Sequence, residues 1–496
     1  MNRLLLEDTI SRCAAQMDWP VDTVRSAWSR LTAADWKRRK AITPEAVAEV
    51  MGFDQQTALR FLLAGFQVQL WQVEWQVYHP VSGWIINRAP SLGELTSEQL
   101  YDPFSRESLE PDLGSNILVV FQPHQQWEDP YASVCVTPDW QTYRQTNLAW
   151  PFWEDGQEDL PPLSFTNLAP WELGKLELTV QPGETYRVIS LETRSQLTVR
   201  VEGETALPGE SFILKMMSYR AVKARESGGP QSVDLTLAPE GFTLKELEAD
   251  PGRLLLWIDN RSALGTTVAV WKAPVLKGPQ PLVQVWNSRS VLNDSLAREV
   301  LLKDCLPEGS RIRVSGQAFV FLAMENSAPL MEEWGDREFY RFLAQEIHES
   351  SKLFSIFGGF LFHKQLDTLS FCFPDSLAAV RAAISWNQRP VESAHWKITV
   401  FAGSVLMTGG PGVSFFGYAI NLGRKLLEKI QGRSLWTSLG AFSYPGVSEA
   451  FLESGYHCQQ EAVSLKNADQ LSLVYECRPP VEPGESTESG ESADPS

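Results

Sequence analysis

The sequence predicts an α+β protein with a helix-turn-helix-like start, a β-rich middle domain and a C-terminal domain of ferredoxin-like type. Helix signals cluster between residues 43 and 66, and short alternating runs fill residues 175–271. After residue 313, helices alternate with pairs of strands, which is typical of a ferredoxin-like sandwich. We therefore expect domains at 1–80 (winged-helix-like), 81–275 and 313–478, with a connecting helix or linker at 276–312 and an acidic tail at 479–496.

Composition limits the classes of partner. The chain has 496 residues, which is enough for two or three domains, and a formal net charge of −18. Such an acidic balance disfavours binding to a phosphate backbone, so we expect no nucleic-acid partner. Apolar runs are strand-sized and shorter than the roughly 18–20 residues of a membrane helix, and the N-terminus does not resemble a signal peptide. We expect no membrane contact.

Cysteine usage predicts the compartment. The six cysteines are scattered along the chain without a CxxC pair, and Cys372 and Cys477 fall inside apolar, strand-like runs. Reduced thiols in the core are the expected state. This pattern favours a cytoplasmic protein.

The first 80 residues carry clear helix boundaries. Thr43 can cap a helix with Pro44 in its first turn, Gly52 can end that helix, and Asp54 can cap the next, over 55–66. Strict alternation over Trp71–Tyr78 then predicts a strand. Because the second helix exposes only one cation, we expect it to pack against the protein and not to read DNA. The basic cluster 37–40 is interpreted as a solvated helix end.

The middle region is rich in tryptophan, proline and glycine. Turn residues separate its short alternating runs, as in an antiparallel sandwich or barrel. Residues 150–163 are typical of a loop or linker. Tryptophans are expected to be buried, although exposed ones could mark a ligand or partner surface. The four clearest runs are Lys175–Val180, Gln196–Val201, Val233–Leu237 and Thr267–Trp271.

In the C-terminal region, predicted helices alternate with predicted strands. From residue 479 onward, the Pro/Gly/Ser-rich, acidic composition predicts a disordered tail. The predicted elements are a strand at Ala318–Leu322, a helix at Pro329–Phe354, a hairpin at Phe360–Phe373, a helix at Ser376–Asn387, a strand at Lys397–Leu406 and a helix around Asn421.

One segment of this region, Ser414-Phe-Phe-Gly-Tyr-Ala-Ile-Asn421-Leu-Gly-Arg-Lys425, resembles the signature helix of the class III adenylate/guanylate cyclases. The resemblance extends over about residues 318–477. Its other landmarks stand in the family's order: Phe321–Ser327, Gly358-Gly359, Asp367, Phe401-Ala-Gly403 and Leu465-Lys466. The resemblance implies a dimeric, nucleotide-binding fold that closes ATP or GTP into a cyclic nucleotide.

The resemblance also implies where divalent ions would bind. In the family, two carboxylates hold two Mg²⁺ or Mn²⁺ ions, which clamp the attacking and leaving oxygens. One carboxylate position falls on Asp367, and the other falls on Ala323, which has no ligand atom. Glu325 would point the same way if the strand continued, although a turn is expected to begin there. Asp367 could instead be a solvated hairpin acid.

The remaining family roles fall on four further positions. The base-reading positions correspond to His363 and Ser414, and Asn421 matches the residue that orients the ribose. Lys425 stands where the family has an arginine that neutralises the developing phosphate charge. Lysine keeps that charge but lacks the bidentate fork. Lys466 lies in the C-terminal Leu-Lys motif and would also contact nucleotide.

The N-terminal part resembles a domain of unknown function that precedes some bacterial cyclase domains, from Ile42 to Pro80 and again at Phe121–His124. Many such domains carry zinc-ribbon cysteine pairs. This chain has His79-Pro-Val-Ser82 at that place and no cysteine there, so we expect no zinc.

Three hypotheses of function follow. The first is a cytoplasmic pseudo-cyclase that acts through nucleotide or partner binding, as a homodimer or heterodimer. The second is a weak active cyclase that uses Mg²⁺ or Mn²⁺ with Asp367 and Glu325, and Lys425 in place of arginine. The third is a non-enzymatic scaffold whose β-rich domain binds a ligand or protein. Cofactors are expected only under the second hypothesis.

Overall fold

The computed structural model describes residues 3–33, 41–95, 99–127, 140, 147–149, 161–203, 222–223, 231–273, 286–302, 306–307, 309–389, 395–409, 413–430, 432, 434–464 and 471–480. The predicted basic cluster at 37–40, most of the 150–163 loop, Lys466 and the acidic tail lie outside these ranges. The chain divides into two compact units, which comprise 1–111 with 116–287 and 112–115 with 288–496.

Within the described residues, the first unit opens with the helices α1 (Arg3–Met17), α2 (Val21–Ala33), α3 (Pro44–Met51) and α4 (Gln55–Gln67). The predicted helix boundaries at 43–55 are confirmed. Thr43 Oγ1 accepts a hydrogen bond from the Ala46 amide, and Asp54 accepts one from the Thr57 amide. Gly52 ends α3 with φ of 72°, a left-handed conformation that glycine adopts without a Cβ penalty.

A small antiparallel sheet follows the helices. Its central strand is β1 (Trp71–Tyr78), at the bounds that alternation predicted, flanked by β2 (Ile85–Ala89) and β5 (Ile117–Pro123). A separate hairpin pairs β3 (Leu100–Asp102) with β4 (Glu107–Leu109). Single 3₁₀ turns lie at Leu92–Glu94 and Gln125–Trp127.

The described part of this unit also contains two larger sheets, in the orders β10-β13-β9-β8-β15-β6 and β12-β11-β14-β7. The expected antiparallel arrangement holds only for part of these sheets, because β11 runs parallel to β14 and β13 runs parallel to both β9 and β10. Apolar residues alternate with polar ones along these strands, and the apolar residues of both sheets form one core between them. The strands are β6 (Ser164–Leu168), β7 (Leu173–Val180), β8 (Thr185–Ser190), β9 (Ser195–Val201), β10 (Val222–Lys223), β11 (Gln231–Ala238), β12 (Gly241–Phe242), β13 (Glu246–Ala249), β14 (Gly252–Asn260) and β15 (Thr266–Lys272).

The second unit is built on a seven-stranded sheet of order β18-β19-β17-β20-β23-β25-β24, with a smaller sheet of order β16-β21-β22. Its strands are β16 (Arg311–Val314), β17 (Ala318–Met324), β18 (Phe360–Gln365), β19 (Thr368–Phe373), β20 (Trp396–Ala402), β21 (Val405–Thr408), β22 (Ser414–Phe416), β23 (Leu435–Ser438), β24 (His457–Ser464) and β25 (Leu471–Arg478). Its helices are α5 (Ser288–Asn293), α6 (Ser295–Leu301), α7 (Ser327–Trp334), α8 (Asp336–Ile356), α9 (Ser376–Asn387), α10 (Tyr418–Leu427), α11 (Leu439–Phe442) and α12 (Val447–Glu453). The α+β class is confirmed.

Strand β17 separates two packed faces because successive side chains alternate across a sheet. Val320 and Leu322 pack into a core with Phe354 of α8 and Ala383 of α9. On the opposite face, a Cβ at Gly423 of α10 would overlap the Phe321 ring. Helix α10 can therefore lie against this face only through a residue without a side chain.

Three predicted elements differ from the structure. The helix expected at 329–354 is two helices, because Gly335, with φ of 75°, separates α7 from α8. The strand expected at 397–406 breaks at Gly403 into β20 and β21. The connecting helix expected before residue 303 is likewise two short helices, α5 and α6, and Asp294 caps the second.

The expectation of reduced cysteines is wrong for one pair. Cys458 and Cys477 face each other across β24 and β25 and form a disulfide. Cys13 and Cys372 are buried free thiols, and the pKa of each is raised by burial. Because the cytoplasmic prediction used reduced cysteines, this pair removes part of its support.

Candidate functional site

The hairpin that joins β18 to β19 holds the predicted metal ligand. Asp367 follows Leu366, whose φ of 48° makes the tight turn, and its carboxylate is half-buried. Ser327 Oγ, at the start of α7, donates a hydrogen bond to Asp367 Oδ2, and Thr368 Oγ1 lies 3.4 Å from Oδ1. Both carboxylate oxygens therefore already contact hydroxyl groups.

The second predicted metal position has no donor atom. Ala323 lies near the end of β17, opposite Thr368 on one side and Lys397 on the other. Strand β17 ends at Met324, and Glu325 begins a turn, as expected. The Glu325 carboxylate lies 3.8 Å from Lys397 Nζ. This lysine competes with any cation for the same oxygens.

His363 lies where β18 carries a bulge, opposite Ser370 of β19. Its Nε2 is buried and, among the described residues, has no hydrogen-bond partner. Arg424 of α10 approaches the same serine and donates from Nη2 to Ser370 Oγ over 3.2 Å. Burial lowers the pKa of this guanidinium. Ser370 thus faces one predicted residue, His363, and contacts one residue that the sequence did not single out.

Arg424 is not among the residues predicted from the sequence, because the resemblance to cyclases assigns the phosphate-binding role to Lys425. The helical periodicity of the buried residues was the signal that could have identified Arg424. In α10 the residues Leu422, Gly423 and Leu426 are buried, so Arg424 lies at the edge of the buried face, whereas Lys425 is exposed.

Asn421 and Lys425 are four residues apart and lie on the exposed face of α10. The Asn421 amide donates to Gly417 O, since it follows the four amides at the start of α10 that lack an intrahelical acceptor. Ser414 is exposed on β22, so the stretch that resembles a single helix motif begins as a strand. Phe416 and Tyr418 are also exposed, at 62% and 67%. The predicted residues of this segment therefore face outward.

The structure brings the predicted residues into separate groups. Asp367 lies with Ser327 at the hairpin turn, His363 lies across from Ser370, and Asn421 shares a helix face with Lys425. Lys466 lies outside the described residues. Across the described ranges no three His, Cys, Asp or Glu side chains cluster closely enough to hold a metal ion.

The first unit holds a second polar cluster. His79 and Asp102 are buried, and His79 Nε2 lies 3.1 Å from Ser105 Oγ. The two tight turns have related sequences, His79-Pro-Val-Ser82 and Asp102-Pro-Phe-Ser105. Their arrangement brings serine, histidine and aspartate together, as in a nucleophilic triad.

The hydrogen bonds of this cluster do not suit a nucleophile. The Val81 amide donates to His79 Nδ1 over 3.3 Å, so the ring proton lies on Nε2 and is donated to Ser105 Oγ. The Glu107 amide also donates to that oxygen, over 3.2 Å. A general base must accept the serine proton, and His79 cannot accept it in this tautomer. The cluster is a hydrogen-bonded support for two turns.

None of the helices in the described ranges combines the length and apolar character that a membrane-spanning helix needs. No family model matches the chain, and no curated protein matches its sequence.

Solved structures of similar fold are cyclase domains. The adenylyl cyclase CyaB from P. aeruginosa is 15% identical with a TM-score of 0.29, and the match covers 35% of this chain and 98% of that chain. The guanylate cyclase domain of RhGC from Catenaria anguillulae, solved in complex with GTP, is 12% identical with a TM-score of 0.30 over 34% and 98% of the two chains.

A non-canonical dimeric guanylyl cyclase domain from Blastocladiella emersonii is 11% identical with a TM-score of 0.29 over 34% and 97%. Similarity at these low identities and TM-scores, over about a third of this chain, does not indicate what the chain binds or catalyses.

Proposed function

We propose that this chain is a signalling protein of the class III nucleotide-cyclase kind whose cyclase-like unit is degenerate and acts through nucleotide or partner binding. The observation that carries the proposal is the exposed face of α10, where Asn421 and Lys425 lie one turn apart. Its context supports the proposal. The order β18-β19-β17-β20, with α8 and α9 as connections, is that of a ferredoxin-like β-α-β-β-α-β unit.

The donor set supports the degenerate form. A two-metal reaction needs carboxylates that hold both ions close to the attacking and leaving oxygens. Ala323 supplies no oxygen, the Asp367 carboxylate accepts a hydrogen bond from Ser327, and Glu325 lies beside Lys397. These residues do not fit two divalent ions, so no catalytic step through a metal is derived for this chain.

Lys425 supports the same conclusion. An ammonium group is a point charge, whereas a guanidinium group can donate two parallel hydrogen bonds to phosphate oxygens. Arginines that stabilise phosphoryl-transfer transition states contribute about 10³–10⁵ in rate. Lys425 can attract a nucleotide phosphate electrostatically without supplying that stabilisation.

The exposed face of α10 and its neighbours also suits a second subunit. Phe416 and Tyr418 are exposed there, and Tyr418 Oη lies 3.3 Å from Ser472 Oγ of β25. Exposed aromatic side chains at one surface are typical of protein interfaces. We propose a homodimer or heterodimer through this surface, with ATP or GTP as the nucleotide.

A weak active cyclase is the second candidate, and the retained Asp367 at the hairpin turn favours it. The test is cyclic nucleotide formation by the purified full-length protein, with ATP or GTP and excess Mn²⁺, measured by mass spectrometry. Asp367→Ala is compared with Glu332→Ala, which removes an exposed carboxylate from α7.

We expect no product from the wild-type protein and saturable binding of nucleotide that Lys425→Gln weakens. Product that disappears in Asp367→Ala and persists in Glu332→Ala would establish the active cyclase. Absence of both product and nucleotide binding would leave partner contact through α10 as the only remaining form of the first proposal. Light scattering of the Tyr418→Ala variant tests that form.

A further inference from the structure

A cleft on the outer face of the larger sheet in the first unit carries an unusual charge. It has a volume of about 460 Å³, within the usual range for small-ligand sites. Four cations line it (Arg106, Arg194, Arg200 and Lys245), against two carboxylates (Glu240 and Glu246). In a chain of net charge −18, a local excess of two positive charges is the reverse of the overall balance.

The pattern of β9 explains how the cleft forms. Leu197, Val199 and Val201 point into the sandwich core, so Gln196, Thr198 and Arg200 share the outer face. Strand β13 lies beside β9 in parallel register, with Glu246 next to Thr198. One wall of the cleft is therefore two adjacent strands, which are rigid elements.

The cations of the cleft have few carboxylate partners. Arg200 Nε is buried and has no hydrogen-bond partner among the described residues, and its Nη2 lies 3.6 Å from Glu246 Oε1. Within the same ranges, Arg106, Arg194 and Lys245 form no ion pair. Burial lowers the pKa of Arg194. Because desolvating an unpaired charge is costly, the partly buried Arg194 and Arg200 fit a site that receives a counter-charge.

Two of these arginines also have strained backbones. Arg194, in the turn between β8 and β9, has φ of 49°, and Arg106, in the turn of the β3–β4 hairpin, has φ of 64°. Residues other than glycine seldom adopt this region, and such strain concentrates at ligand-binding positions.

A buried arginine beneath the cleft holds these parts in place. Arg187 is 4% exposed and donates from Nη1 to Phe104 O over 3.1 Å and from Nε to Gln196 Oε1 over 3.1 Å. Gln196 Nε2 then donates to Tyr101 Oη over 3.2 Å. The hairpin turn that carries Arg106 is thereby tied to β9, which carries Arg200. The cleft is organised before any ligand arrives.

We propose that this cleft binds a phosphorylated small molecule, with the guanidinium groups of Arg194 and Arg200 on its phosphate oxygens. Guanidinium forks match phosphate geometry and form charge-assisted hydrogen bonds. Glu240 and Glu246 can accept hydrogen bonds from hydroxyl groups on the rest of the ligand, and Gln196 Nε2 can donate one. This site is separate from the nucleotide site proposed for the second unit. It gives the β-rich region a ligand that is bound by arginine side chains and not by tryptophans.

The test is isothermal titration calorimetry on the full-length chain at low salt with inorganic pyrophosphate. We expect binding that weakens at least about tenfold in the Arg194→Gln/Arg200→Gln double variant, since two charge-assisted contacts are lost. Arg261→Gln is the matched control, because it removes an exposed cation that lies beside Asp259, away from the cleft. The Arg261→Gln control should bind like the wild type, and a loss confined to Lys425→Gln would place the bound pyrophosphate in the second unit.

The outcomes separate clearly. Unchanged binding in the double variant, no binding by the wild type, or an equal loss in Arg261→Gln would overturn the proposal. So would citrate binding as tightly as pyrophosphate, because the cleft would then select charge alone. If the double variant unfolds, Lys245→Glu at the exposed rim replaces it, with the same expectation. Tighter binding of adenosine diphosphate than of ribose 5-phosphate indicates a nucleotide, and the reverse order indicates a sugar phosphate.

Discussion

Ser327 Oγ donates a hydrogen bond to the carboxylate of Asp367, forty residues further along the chain. This contact joins the first turn of α7 to the β18–β19 hairpin. It also occupies the carboxylate that the resemblance to cyclases would assign to a metal ion.

Removing that hydroxyl should cost stability. Because the acceptor is a charged, half-buried carboxylate, we expect Ser327→Ala to lower the free energy of unfolding by about 1 kcal/mol in urea titrations. Ser355→Ala is the control, since the Ser355 hydroxyl bonds only to Lys352 O within its own helix. Equal losses in the two variants would show that the Asp367 contact contributes nothing specific.

A second carboxylate beside Asp367 should create a binding site for a divalent metal ion. Ala323→Asp places a second carboxylate near the end of β17, and Ser327→Ala frees the first. We expect this double variant to bind Mn²⁺ at least about tenfold more tightly than the wild type by calorimetry, because hard divalent ions prefer several oxygen ligands. Ala328→Asp, at an exposed position on α7, should not change Mn²⁺ affinity. An unchanged affinity in the Ala323→Asp variant would contradict the placement of the site.

The second unit contains a buried carboxylate whose role is structural. Glu346 of α8 is 4% exposed and accepts hydrogen bonds from Arg389 Nη2 and Trp396 Nε1, each over 2.9 Å. Glu346→Ala removes the buried acceptor of both hydrogen bonds, so we expect a loss of about 3 kcal/mol in urea unfolding. Glu346→Gln should lose less, because it keeps an acceptor. Glu338→Ala, at the exposed pair with Arg341, should cost no more than a few tenths of a kcal/mol; a comparable loss there would argue against a buried network.

Glycine at position 423 is required for the close approach of α10 to the sheet. A Cβ there would overlap Phe321 and lie 3.2 Å from Phe401, and both rings are buried. We expect Gly423→Ala to destabilise the protein by about 2 kcal/mol through overpacking, despite its better helix propensity. Gly440→Ala in α11, whose Cβ would meet nothing closer than 3.9 Å, should be neutral or stabilising. The thermal unfolding midpoints of the two variants show whether side-chain packing or helix propensity determines the effect of an alanine at each position.

The Cys458–Cys477 disulfide closes a loop with a sequence separation of 19 residues. Constraining the unfolded chain over a loop of this length stabilises a protein by about 3 kcal/mol. We expect a reducing agent to lower the urea midpoint of the wild type and to leave the Cys458→Ala/Cys477→Ala variant unchanged. Identical responses of the two proteins would mean that the pair is not bonded in solution, and the reduced-thiol prediction would then stand.

Local features of this fold could be predicted from the sequence. The Thr43 and Asp54 caps, the Gly52 helix end, strand β1 and helix α9 all lie where local patterns placed them. Each depends on interactions between residues a few positions apart, such as a side chain bonding an amide three residues on, or alternation along one strand. Such signals are complete within a short segment of chain.

Only the tertiary structure shows which side chains from distant segments of the chain lie together. The sequence placed a glycine at 335 and a lysine at 425, but only packing shows that the first divides a helix and that Arg424, next to the second, is the cation at Ser370. The cationic cleft combines residues from 101 to 246, and the parallel pairing of β9 with β13 creates its wall. Sequence spacing does not indicate which strands pair. The pairing depends on how whole strands bury their apolar side chains and on which charged side chains remain on their outer faces.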